Sequence, residues 1–178
     1  YKFTEKVDLY YLAACLSESL SDEAILLCDA GLEEIILPSS ISFKEDQRCI
    51  HPVSQGAMGF ALPGAVGAYF AGNRQTVAVI GDGSIMMNLQ ELQTIRHYNI
   101  PVKIIVINNN VYAVIRKRQV ELFRTRTIGT DPQNGVSCPC FEKVAECFDI
   151  PYVRIDDSVD LKSKIAAVFN MEGPILCE

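Results

Sequence analysis

A chain of 178 residues, 49% hydrophobic and 21% charged, has the size and balance of one α/β domain, and two domains would be unusual at this length. A net charge of −6 argues against a nucleic-acid surface, because the one basic run, Arg116–Lys117–Arg118, is short enough to be a solvated turn or helix face. The longest stretch without Asp, Glu, Lys or Arg, Cys49 to Asn73, contains Pro52, Pro63 and many small residues, which excludes a membrane span.

The predicted elements alternate. Leu9, Leu12, Ala13, Leu16 and Leu20 have helical spacing over Asp8 to Leu20, and Ala24 to Cys28 reads as a buried strand running into Asp29–Ala30–Gly31. A glycine-rich segment follows, in which Gly64, Ala68 and Gly72 recur every four residues; on a helix this puts small side chains on one face, where another backbone can come close. Next come a strand over 76–80, a helix over Ile85 to Tyr98 and a strand over 102–107. A helix over Phe141 to Phe148, a strand over Tyr152 to Ile155, a helix over Leu161 to Asn170 and a strand over Pro174 to Cys177 complete the chain. Apolar strands alternating with helices predict an α/β fold, a parallel sheet with helices on both faces. The seven cysteines are odd in number and scattered, and Cys138–Pro–Cys140 lacks the second ligand pair of a zinc site, so reduced thiols in a cytoplasmic protein are expected. No signal peptide opens the chain, and its limits, Tyr1 and a strand ending at Glu178, predict a piece of a longer protein.

The chemistry concentrates at two strand ends. Gly81–Asp82–Gly83 follows the strand at 76–80, and Asn108–Asn109–Asn110 follows the one at 102–107. A right-handed crossover makes these strands parallel, so both polar ends lie at the C-terminal edge of the sheet, where ligands of open α/β sheets bind. One carboxylate and one amide oxygen suit a hard divalent cation, above all Mg²⁺, which keeps few protein ligands and shares phosphate oxygens. Gly83 would let the backbone approach a phosphate, and the helix start beyond it offers free N–H groups. Either tripeptide alone is an ordinary turn or loop; their pairing on one βαβ unit is what predicts a metal–diphosphate clamp. The chain has neither a G-x-G-x-x-G after a strand nor a G-x-x-x-x-G-K-[ST], so neither a usual dinucleotide site nor a P-loop is expected.

GDGS, then 23 residues, then NN resembles the signature of thiamine diphosphate-dependent enzymes. GAMGFALPGAVGA and ELQTIRHYNIPVKIIVINNN resemble the matching segments of acetolactate synthase large subunits, and the likeness extends over essentially the whole chain, strongest from Ser54 to Gln119. This resemblance implies the Rossmann-like, three-layer thiamine diphosphate-binding fold. It implies Mg²⁺ held by the side chains of Asp82 and Asn109 and the main-chain carbonyl of Val111. Gly81, Gly83 and Ser84 would meet the diphosphate, with backbone near Tyr112, while Gly31 and Gly56 complete the cofactor-binding set. Met58 matches the apolar residue that props the cofactor in a bent shape, bringing its aminopyrimidine nitrogen near the reactive carbon.

The chain departs from acetolactate synthases at two places, and from pyruvate decarboxylases at a third. Leu32–Glu33 stand where acetolactate synthases carry a Gln-His pair that helps hold the diphosphate; a carboxylate there would repel it unless Glu33 points away or the corner binds differently. Arg118 stands where those enzymes carry a tryptophan, leaving the acceptor substrate open. Ile115 stands six residues beyond the metal asparagine, where pyruvate decarboxylases carry a glutamate, which favours carboligation over aldehyde release. The resemblance implies a parent enzyme that decarboxylates a small 2-oxo acid and passes the remainder to a second carbonyl, as a homodimer or homotetramer. The activating glutamate would come from a pyrimidine-binding domain of the same or a partner subunit, so no catalytic acid or base is assigned to this chain. A subunit of a two-chain 2-oxo-acid decarboxylase, an oxidase of the same superfamily binding FAD elsewhere, and a non-catalytic assembly or regulatory domain are the alternatives.

Overall fold

The computed structural model describes residues 6–178. Its strands are β1 (Ile25–Cys28), β2 (Arg48–Ile50), β3 (Thr76–Gly81), β4 (Lys103–Ile107), β5 (Tyr152–Val153) and β6 (Ile175–Cys177). Every pairing is parallel, as the apolar runs predict, and the strand order is β2-β1-β3-β4-β6-β5. The order reverses between β1 and β3, so connections leave in opposite directions from that point and open a crevice at the strand ends.

The pleat sorts side chains into two layers. In β3, Val77 and Val79 face one side, Ala78 and Ile80 the other, and all four are fully buried. The first face is covered by α1 (Leu9–Ser19), α2 (Leu32–Ser40) and α8 (Leu161–Asn170), through residues such as Leu12, Leu16, Leu37 and Ile165. The second is covered by α3 (Ala61–Gly72), α5 (Glu91–His97) and α7 (Phe141–Cys147), through Leu62, Ala65, Ile95 and Phe141. Each leucine buried this way stabilises the fold by roughly 2 kcal/mol. Asp8 caps α1, its Oδ1 accepting from the N–H groups of Tyr10 and Tyr11 at 2.8 and 3.0 Å.

Several boundaries move. In place of one helix over Ile85 to Tyr98 the chain forms a single turn, α4 (Asp82–Ile85), a run of tight turns, and then α5. The bonds from Met87 to Ser84, Asn88 to Ile85 and Glu91 to Asn88 span three residues, and the Asn88 amide is drawn away to donate to the Gly59 carbonyl at 2.9 Å. The strand at Tyr152 is shorter than its apolar pattern suggests. Two helices were not expected: α2, which contains Pro38 and two serines, and α6 (Ala113–Leu122), which has no buried residue. The short edge strand β2 was likewise not anticipated. The small-residue face of α3 is used mainly at Gly64, where a Cβ would lie 2.7 Å from the Leu27 side chain; helix and sheet meet closely there.

Candidate functional site

β3 and β4 pair with Gly81 opposite Ile107, so the next residues of each strand emerge side by side. Asp82 is buried at the start of α4, its Oδ1 accepting from the Gly83 N–H at 2.7 Å and its Oδ2 from the Asn110 N–H at 2.6 Å. Burial pushes the Asp82 carboxyl up, and the N–H groups of Gly83, Asn110 and Asn109, with the Cys138 thiol, pull it back. The asparagine run is a built loop. Asn109 Oδ1 accepts from the Val111 N–H at 3.0 Å, Asn110 takes the left-handed conformation (φ 53°), and the Asn108 amide donates to Glu178 at 2.7 Å.

Gly83 is also required by a contact within the chain. A Cβ there would fall within the Tyr112 ring, whose edge packs over the Gly83 backbone. Tyr112 is held in turn by its N–H, which donates to the Thr130 carbonyl at 2.8 Å.

On the other side of the cleft stands Asp29, a residue the motif reading passed over. It is fully buried at the end of β1. Its Oδ1 accepts from the N–H groups of Gly59 and Ala30, both at 2.9 Å, and its Oδ2 from Ala61 at 2.8 Å. Burial raises its pKa; these N–H groups and the Ser84 hydroxyl oppose the rise. Asp29 therefore anchors the glycine-rich segment at both ends of Gly59–Ala61 and sets the path of Met58 just before it. The available signal was the one that singled out Asp82, an acid directly after a buried strand.

Glu33 does not point away. It is 5% exposed in the first turn of α2, and its carboxylate lies against Gly31 and Gly81, where Cβ atoms would come within 2.5 and 3.2 Å of it. Burial, reinforced by the charges of Asp29 and Asp82, pushes its pKa from 4.5 to about 7, against hydrogen bonds from its own N–H and that of Gly81.

One cleft gathers most of the expected site. Gly31, Met58, Gly81, Asp82 and Gly83 line it, with Ser84, Asn109, Val111 and Tyr112. Gly56 does not: it is an exposed turn residue with φ 58° and open space around it, so its glycine is needed for backbone conformation. Ile115 lines the cleft, whereas Arg118 stands outside it, paired with Glu121 at 3.2 Å on the surface of α6. The cavity is about 90 Å³, well short of the roughly 300 Å³ that a drug-sized ligand fills. Among the described residues no lysine, arginine or histidine lines it, and the charged side chains that do, Glu33 and Asp82, are both acidic. No cluster of three or more His, Cys, Asp or Glu with metal-binding geometry occurs among the described residues. Any cation here would therefore rest on Asp82 and neutral oxygens. Among the described residues no helix is long and apolar enough to cross a membrane.

The chain is similar to known proteins over most of its length. The family described as thiamine pyrophosphate enzyme, C-terminal TPP binding domain, matches residues 29–178. Acetolactate synthase 2 of Zea mays is 32% identical over 99% of this chain and 28% of its own length. The acetolactate synthase large subunit of Cyanidium caldarium is 37% identical over 89% of the chain and 27% of its own. The solved structure of a thiamine diphosphate-dependent 4-hydroxybenzoylformate decarboxylase from Rhodococcus jostii RHA1 superposes with a TM-score of 0.87 at 27% identity, covering 100% of this chain and 33% of that one. The chain thus spans between about a quarter and a third of the length of these relatives.

Proposed function

The chain belongs to the thiamine pyrophosphate enzymes, as their C-terminal TPP-binding domain, and from that premise we propose that it holds Mg²⁺ and the cofactor's diphosphate for a 2-oxo-acid decarboxylating carboligase of the acetolactate synthase kind. The observation that carries this reading is the meeting of Asp82 and Asn109 at neighbouring strand ends, in the cleft that Gly81 to Ser84 also line. A carboxylate, an amide oxygen and the Val111 carbonyl make an all-oxygen donor set that fits a hard divalent cation and leaves further positions for phosphate oxygens. Electrostatics calls for the cation, because a cleft whose charged side chains among the described residues are all acidic repels a bare diphosphate.

The cofactor, when bound, supplies the chemistry of decarboxylation and carbon–carbon bond formation. The chain's own part is positional. Asp82 and Asn109 would hold the cation and Met58 would prop the cofactor from the glycine-rich side, while Tyr112, packed on Gly83, forms part of the cleft wall. A cavity of about 90 Å³ takes only part of such a ligand, which supports a second wall from a pyrimidine-binding domain of the same or a partner subunit. The exposed apolar side chains of α6 and its end, Val114, Ile115, Val120, Leu122 and Phe123, fit such a neighbour. The catalytic acid–base groups are assigned to that domain, so this chain by itself is expected not to turn over substrate.

The test is product analysis on the full-length protein supplied with pyruvate, thiamine diphosphate and Mg²⁺. Acetolactate is expected; an aldehyde as the only product would overturn the carboligase assignment and favour a second reading, simple decarboxylation, which the decarboxylase relative supports.

A further inference from the structure

We propose that the Glu33 carboxylate is an internal occupant of the diphosphate corner, a competitor built into the chain that an incoming diphosphate must displace. The inference rests on the reading of this cleft as a diphosphate site.

Four observations converge. Glu33 is 5% exposed and lines the cleft, so its charge lies in the site and not in solvent. Its carboxylate is wedged between Gly31, after β1, and Gly81, at the end of β3, the two sides of the crevice where the strand order reverses. It lies against the Gly81 backbone in the first turn of α2, where the free N–H groups of a helix start are the ones an anion would use. Among the described residues no basic side chain lines the cleft, and the charges that act on Glu33 there, Asp29 and Asp82, are of its own sign. A carboxylate so placed gains only the backbone donors, and a phosphate oxygen needs the same donors and the same volume. Glycine at 31 and 81 leaves the room the carboxylate fills, since a Cβ at either position would crowd it.

Removal of the carboxylate therefore frees donors and lifts a repulsion together. Calorimetry on the full-length protein with Mg²⁺ and inorganic pyrophosphate measures this without any turnover. Glu33→Ala is expected to bind Mg-pyrophosphate at least about 10-fold more tightly than the unmodified protein, which corresponds to about 1.4 kcal/mol. Glu33→Gln, which keeps the shape and drops the charge, is expected to fall between the two and covers the case in which the alanine variant does not fold. Affinity that is unchanged or weaker in the folded variants overturns the proposal. Asp82→Ala, run alongside, tests the clamp separately. If it binds as tightly as the unmodified protein, the metal-clamp reading fails, and the Glu33 comparison still decides the question of displacement.

Discussion

The N–H of Asn110 donates to Oδ2 of Asp82 at 2.6 Å, tying the loop after β4 to the start of the helix after β3. The carboxylate that would hold a cation thus also fixes the loop that carries the second ligand, Asn109. Loss of Asp82 removes a ligand and unfastens its partner. In the full-length protein, Asp82→Ala is expected to weaken Mg²⁺-dependent thiamine diphosphate binding by roughly 100-fold, the order of about 3 kcal/mol. Asn109→Ala should cost less, because a neutral amide contributes less than a carboxylate. Chelation of Mg²⁺ should remove binding in the unmodified protein, and calorimetry that finds equal affinity with and without chelator would contradict the clamp.

Asp29 supports the opposite wall. Its replacement by alanine leaves the buried N–H groups of Gly59 and Ala61 without their acceptor. A loss of about 2–4 kcal/mol in urea unfolding is expected. Asn at this position keeps one acceptor oxygen and should cost less. A loss under about 0.5 kcal/mol for the alanine variant would show that the glycine-rich segment finds its path without Asp29.

Gly83 and Tyr112 are coupled by contact. Gly83→Ala forces its methyl group into the Tyr112 ring and should destabilise the protein by about 1–3 kcal/mol. In a Tyr112→Ala background the same substitution should be nearly neutral, a coupling of at least about 1 kcal/mol in a double-mutant cycle. Additive losses would mean that the two residues do not meet.

Glu33 predicts a pH dependence of stability. Its pKa is raised in the folded protein, from 4.5 to about 7, so over that interval the folded state binds more protons than the unfolded one. Stability contributed by this group is therefore present below pH 4.5 and lost as pH rises through about 7, with a ceiling of about 3 kcal/mol. Glu33→Gln should flatten the fall between about pH 5 and pH 8 in denaturant titrations. A variant whose stability falls as steeply as that of the unmodified protein would assign the dependence to other groups.

Much of this was legible in the sequence because buried parallel strands and helices with one apolar face print their environment onto residue type. Thr76–Gly81 and Lys103–Ile107 are buried almost throughout, and α1 and α8 each bury one stripe. α6 went unread for the opposite reason: a helix with no buried residue has no pattern to show. α2 was obscured by Pro38, and the break after Ile85 depends on Asn88 finding the Gly59 carbonyl, a partner far away in sequence. The clamp residues were legible because a rule of chain topology places them. The direction of Glu33 was not, since a rotamer wedged between two glycines is decided by tertiary packing.

The register that sets Gly81 opposite Ile107 has a consequence for how such a domain can be altered. Of the 23 residues between GDGS and NN, Ile107 lines the cleft and Asn88 holds the Gly59 carbonyl, and the rest serve as a span between the two strand ends. The stretch holding α5 and its turns could be exchanged for another crossover of different length, provided β4 re-enters in the same phase against β3. A single-residue insertion inside β4 would be far more damaging, because it would turn Ile104 and Val106 to the wrong side of the sheet and carry Asn109 out of step with Asp82. In a graft between relatives, the safe seams are therefore the loop tips on the far edge of the sheet, away from the cleft.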